Sequence, residues 1–222
     1  MPSDLRTHAI VLRRTNYGES DRILNLITPE GKIAVLAKSV RKSKSRLAGG
    51  IELFSVADVV IHQGRSNLGT LTSAKMLRFY GGIMSDVARL ELAGNCLKRL
   101  DRVAEQVPSP EHFQILQQTL AALDCGLPNN LITTWFALNL ARANGEEINL
   151  LRDTDGSELA PTCTYSWDQV ESALRPDARG SIGAQEIKLA RFLLQKPLAW
   201  ASKVENCANI LPPIHEIAKT LG

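Results

Sequence analysis

Five short apolar runs, each closed by a turn signal, occupy roughly the first third of this 222-residue chain and leave it few folds to choose from. HAIVLRR (8–14) and DRILNLIT (21–28) come first. KIAVLAK (32–38) follows the tight connection PEG, in which Pro29 supplies the fixed φ of a turn and Gly31 frees the exit. SVADVVIHQ (55–63) and, after a Gly-Arg-Ser-Asn turn, LGTLTSAK (68–75) complete the set. Five strands in so short a span suit a small barrel better than a sandwich.

Beyond residue 80 the apolar period becomes helical. Ile83, Val87, Leu90, Leu97 and Leu100 mark one helix face, and Phe113, Leu116, Leu120 and Leu123 mark a second helix between Pro110 and Gly126. LITTWFALNLA (131–141) is apolar nearly all round, as a buried central helix should be. Leu189, Ala190, Leu193 and Leu194 give another. Ile210, Ile214, Ile217 and Leu221 give the last, with Pro212 and Pro213 expected to set its start. Residues 145–183 show no clear period and read as a loop-rich excursion. The expectation is an α+β chain: a five-stranded barrel over 1–80, then an all-helical domain over 81–222.

Charge changes at the same boundary. Residues 1–80 carry thirteen Lys/Arg against six Asp/Glu, a formal +7, whereas the remainder carries thirteen against seventeen, or −4. Within AKSVRKSKSRLAGG (37–50), Lys38, Arg41, Lys42, Lys44 and Arg46 crowd one connection without a carboxylate among them. Such a cluster is either a solvated face or a contact for a polyanion.

Other classes are poorly supported. Cys96, Cys125, Cys163 and Cys207 are scattered and form no C-x-x-C pair, which suits reduced thiols in a cytosol. The N-terminal stretch lacks a signal-peptide core, and no run approaches the ~20 apolar residues of a membrane span. His8, His62, His112 and His215 show no ligand spacing, and no phosphate-loop signature occurs. Glu19, Ser20 and Asp21 of Y-G-E-S-D (17–21) resemble an acid, a nucleophile and a second acid. The simpler reading makes Gly18 the turn and pairs Glu19 and Asp21 with neighbouring arginines. No nucleophile, base and oxyanion site assembles, so we read a non-enzyme without cofactor or metal, in the cytoplasm.

Y-G-E-S-D (17–21), T-P-E-G-K (28–32), the A-K-S-V-R…S-R-L cluster (37–47) and L-G-T-L (68–71), in this order and spacing, resemble the RecO family of bacterial recombination mediators. The likeness covers the first 80 residues well and continues more weakly as F-A-L-N-L (136–140) before N-G-E-E-I-N-L (144–150). It implies an OB-fold that binds single- and double-stranded DNA, followed by a helical domain. It also implies association with the nucleoid, strand annealing and recombinase loading on strands coated by single-stranded-DNA-binding protein, with RecR as a partner and RecA an indirect one.

On an OB barrel, oligonucleotides lie across the central strands between flanking loops. Lys38, Arg41, Lys42, Lys44 and Arg46 are therefore the phosphate-contact candidates, with Ser39, Ser43 and Ser45 as small hydrogen-bonding neighbours. Arg13, Arg14 and Arg65 are secondary candidates. Only Tyr17, Phe54, Phe79 and Tyr80 are aromatic in this part. Phe54 reads as core and Tyr17 as the stacking candidate, so phosphate contacts should dominate over stacking.

Two departures from the resemblance matter. Many relatives carry a zinc module of two C-x-x-C pairs after N-L, whereas here the comparable segment reads LRDTDG and Cys163 stands alone, too few thiolates for a closed site. The segment before Phe136 reads Thr133, Thr134, Trp135 where relatives are often basic. Arg142, Lys98 and Arg102 remain as cations for docking the acidic tail of single-stranded-DNA-binding protein. The alternative to a recombination mediator is an OB-type module on structured RNA.

Overall fold

The computed structural model describes residues 3–64 and 68–221. By compactness the chain divides into two units, Met1–Gly126 and Leu127–Gly222.

The first unit is built on β1 (Ser3–Tyr17), β2 (Asp21–Thr28), β3 (Gly31–Ala37), β4 (Ser55–Gln63) and β5 (Gly69–Phe79). They close into a barrel in the order β1-β2-β3-β5-β4, with β4 returning to β1. All pairings are antiparallel except β3–β5, which is parallel and rests on only two residue pairs, Val35↔Gly69 and Leu36↔Thr70. This crossover topology is an OB-fold, as expected. Alternate residues fill the barrel: Leu24 and Leu26 on β2, Val35 and Ala37 on β3, Val59 and Ile61 on β4.

β1 is longer than its apolar run because it serves two partners. Ser3–Ile10 pair with β4, while Ile10–Tyr17 pair with β2, and the register slips between Val11 and Arg13. Phe54 is buried, as read, although its φ of 58° lies in the left-handed region.

α1 (Val87–Gln106) begins where the Asp86 carboxylate accepts the Arg89 amide at 2.9 Å, and it buries Ala93, Cys96, Leu97, Leu100 and Ala104. Val87 and Leu90 do not share that burial, correcting the sequence reading. They lie on the first turn of α1 and are exposed, while Ile83 is buried in the separate 3-10 turn Gly81–Ser85 that precedes the helix. α2 (Glu111–Asp124) has the expected limits and face. Both helices pack on the barrel, α1 against β1 and β3, α2 against β1 and β2. Although the strands end at Phe79, the compact unit therefore continues to Gly126.

In the second unit α3 (Asn129–Ala143) is buried on nearly every side. Its interior Asn139 is satisfied by donating to the carbonyls of Trp135 and Leu193, at 2.9 and 3.1 Å. α4 (Ala184–Gln195), the short α5 (Leu198–Ala201) and α6 (Cys207–Thr220) pack around it.

Two expectations are corrected here. Residues 145–183 are not free of elements. β6 (Asn149–Asp153), β7 (Tyr165–Asp168) and β8 (Ala173–Pro176) form a three-stranded sheet in the order β6-β8-β7, so this part is not all-helical. The strands are four or five residues long, too short to show a period. The last helix also begins before its prolines. The carbonyl of Asn206 takes the amides of Asn209 and Ile210, and the prolines remove only the donors at positions 212 and 213.

Candidate nucleic-acid interface

The β2–β3 hairpin creates the site. Its turn is closed by the Thr28 hydroxyl, which donates to the Gly31 carbonyl at 2.9 Å and accepts the Glu30 amide at 3.2 Å. Gly31 takes a φ of 121°, open to glycine alone. The ladder runs from Thr28↔Gly31 to Arg22↔Ala37, so Asp21 at the start of β2 lies beside Lys38 and Ser39 as the chain leaves β3. Tyr17 pairs with Asp21 across the β1–β2 ladder. A stacking candidate and the basic connection thus meet at one end of the barrel.

Backbone contacts hold that connection. The Ser39 amide donates to the Asp21 carboxylate at 2.7 Å, and the Arg41 amide donates to the Ser20 carbonyl at 2.9 Å. The Arg41 guanidinium reaches the Gly18 carbonyl at 3.5 Å. Further turns follow: the Lys42 amide donates to Ser39 at 3.2 Å and the Ser45 amide to Lys42 at 3.0 Å. Apolar residues pin both ends. Val40 and Ile51 are buried in the barrel core, and Leu47 and Ala48 pack against it.

Lys38, Arg41, Lys42, Lys44 and Arg46 all face solvent. None of the five forms an ion pair with a carboxylate among the described residues. Five cations without internal neutralisation make a concentrated positive surface, able to displace counterions from a phosphate backbone.

The secondary candidates sit differently. Arg13 Nε lies 3.0 Å from an Asp101 oxygen, and Arg14 Nη1 lies 2.9 Å from Glu52. Both are on β1, and each is matched by a carboxylate, which lowers its availability to phosphate. Arg65 lies outside the described residues. Tyr17 is 55% exposed, as a stacking ring must be.

The pairing of Asp21 with an arginine is corrected: it takes the Ser39 amide, and the neighbouring Arg22 donates to Asn16 at 3.2 Å. Sequence reasoning passed over this role because serine carries no signal for a φ of 53°, the value Ser39 adopts. It also passed over Val40, an apolar residue inside a basic run whose burial fixes the loop.

Among the described residues no group of three or more His, Cys, Asp or Glu side chains is placed to hold a metal ion. The Cys96 thiol is buried in α1 and pushed up to about 12 by that burial, while Cys125 and Cys163 are exposed. Among the described residues no helix is long and apolar enough to cross a membrane.

A closed five-stranded barrel bearing an unneutralised basic loop beside an exposed tyrosine defines an OB-type protein with a surface suited to a polyanion. The particular family follows from comparison with known proteins. The family described as Recombination protein O N terminal matches residues 1–80, and Recombination protein O C terminal matches residues 84–217. The chain belongs to the RecO family. It is 30% identical over 218 residues to the DNA repair protein RecO of Dehalococcoides mccartyi (strain CBDB1), covering 95% of this chain and 86% of that one. It is 33% identical over 201 residues to the DNA repair protein RecO of Roseiflexus sp. (strain RS-1), covering 87% and 71% respectively.

Proposed function

We propose that this chain is a DNA repair and recombination protein that binds single and double strands through their phosphates. It would anneal complementary strands and assist recombinase loading on DNA coated by single-stranded-DNA-binding protein, with RecR as a partner. The observation that carries the reading is the loop 38–46, where five cations face water with no carboxylate partner among the described residues. Family membership supports DNA as the polyanion, and nothing observed favours structured RNA. Cations also rim two cavities suited to an acidic peptide tail. Lys98 lines one of about 370 Å³ beside Leu12, Leu53 and Leu97, and Arg142 lines one of about 480 Å³ in the second unit.

A salt titration of binding tests the central claim. Each phosphate contact adds roughly 0.7 (single strand) to 0.9 (duplex) to the slope of log affinity against log salt. Replacing Lys42, Lys44 and Arg46 with alanine should therefore flatten that slope by about 2 to 3 units, equally on unrelated sequences. An unchanged slope would place DNA on another face. Annealing of complementary oligonucleotides coated with single-stranded-DNA-binding protein tests the mediator role, and no acceleration by the full chain would refute it.

A further inference from the structure

The motif Y-G-E-S-D sets two carboxylates, the exposed Glu19 and the more enclosed Asp21, beside the most cationic part of the chain. On Coulomb grounds alone, Asp21 opposes phosphate binding there, since a negative charge beside a phosphate path weakens attraction. Its geometry points to a compensating role. Asp21 accepts the amide of Ser39 at 2.7 Å, a hydrogen bond strengthened by the carboxylate's charge. Ser39 holds a φ of 53°, a left-handed conformation that residues with a β-carbon seldom adopt without support. Two residues on, the Arg41 amide is held by the carbonyl of Ser20, the residue before Asp21. The Val40 side chain between these two amides is buried in the barrel core.

We infer that Asp21 is a positioning residue for DNA binding: by holding Ser39 in its left-handed conformation, it sets the path along which Arg41, Lys42, Lys44 and Arg46 meet the phosphates. This rests on the proposed phosphate contacts of the loop. Without the carboxylate acceptor, Ser39 returns to a negative φ and the chain beyond it takes another direction. The cations remain, but they no longer stand in one register with the backbone they bind.

Conservative substitutions in the full-length chain separate positioning from charge. Asp21→Asn keeps an oxygen at the Oδ1 position and removes the charge. Asp21→Glu keeps the charge and displaces the oxygen by one methylene. If Asp21 positions the loop, D21N retains the salt slope and binds about twofold or more tighter, while D21E flattens the slope by about one unit and binds roughly 3- to 10-fold more weakly. Amide hydrogen exchange at Ser39 and Arg41 should then accelerate in D21E and stay slow in D21N. If Asp21 acts only as a charge, D21E matches the unaltered chain in slope and exchange, and the inference is overturned. The Lys42, Lys44 and Arg46 triple variant is measured alongside. A flattened slope there with an unchanged D21E refutes the positioning role alone, whereas an unchanged triple-variant slope refutes the phosphate contacts themselves.

Discussion

The Nζ of Lys32 lies 2.7 Å from Oδ1 of Asp101, and their side chains are only 12% and 14% exposed. The same carboxylate takes the Asn25 amide at 3.0 Å and faces Arg13 at 3.0 Å, so one residue of α1 is bonded to three residues of the barrel. Lys32 also meets Glu105 at 3.0 Å. Removing one partner of a withdrawn ion pair leaves the other charge poorly solvated.

Lys32→Met should therefore destabilise the protein by about 3 kcal/mol, with a thermal midpoint lower by about 10 °C. Calorimetry of the full chain measures it. A loss of less than about 1 kcal/mol, as for an exposed pair, would contradict the reading.

The same site has a pH signature. Burial by itself pushes the Asp101 carboxyl up. Hydrogen bonds from Lys32 and Asn25 and the charges of Lys32 and Arg13 more than reverse this, holding the carboxyl below its ordinary range. A depressed folded-state value means that the stabilisation is complete well above the unfolded value, about 3.9, and is lost as pH falls through the lower folded one. The stability gap between the unaltered chain and Asp101→Asn should stay constant from pH 7 to about 5 and shrink below about pH 4. A gap of equal size at pH 6 and pH 3 would show that the carboxylate's charge contributes nothing.

Because α1 and α2 cover the barrel, a fragment ending at residue 80 would expose the faces that carry Asn25 and Lys32. A fragment of residues 1–126 should melt cooperatively and bind DNA, since it holds the basic loop and the helices packed on the barrel. The 1–80 fragment should melt at a lower midpoint or fail to fold. Equal midpoints by circular dichroism would show that the helices add no stability.

In β6 and the turn after it, the segment LRDTDG is organised by a carboxylate. Asp153 accepts the amides of Asp155 and Ser157 at 3.0 and 2.9 Å. Chelation should accordingly leave the thermal midpoint unchanged, and elemental analysis should find no stoichiometric zinc. One zinc per chain would refute this.

What could be read in advance follows from the range of each signal. The strands of the barrel announce themselves through alternation and through turns such as T-P-E-G-K, all within a few residues. The five loop cations are visible as a run. The Arg13–Asp101 pair joins residues far apart in the chain, and no local pattern foretells it. Nor can Ser39 advertise a left-handed backbone as a glycine does. The sheet of β6, β7 and β8 escaped for a different reason: half-exposed strands of four or five residues carry too few alternations to separate them from turns.

The far end of the basic loop makes its own prediction. Gly50 closes the 3-10 turn Ala48–Gly50, and a methyl there would stand 2.6 Å from the β-carbon of Ala74 and against its carbonyl. Gly50→Ala should cost about 1 to 3 kcal/mol through this overlap. A neutral result in denaturant titration would mean that the turn can move off β5.

The two-pair contact between β3 and β5 bears on the order of assembly. β1, β2 and β3 are successive in the chain and zip through short turns, so they can form quickly. Ring closure must bring Val35 to Gly69 and Leu36 to Thr70, after β4 has been laid down between them in sequence. The closing contact is therefore expected on the downhill side of the folding barrier. Gly69→Ala, which would set a methyl 2.7 Å from Ile61 Cγ2, should chiefly speed unfolding and leave the folding rate near its original value. Stopped-flow kinetics that show slowed folding instead would place ring closure in the nucleus. With closure late, the β2–β3 hairpin that bears the cationic loop takes shape while the ring is still open, and a nascent chain would carry its charge on a formed hairpin before the barrel exists.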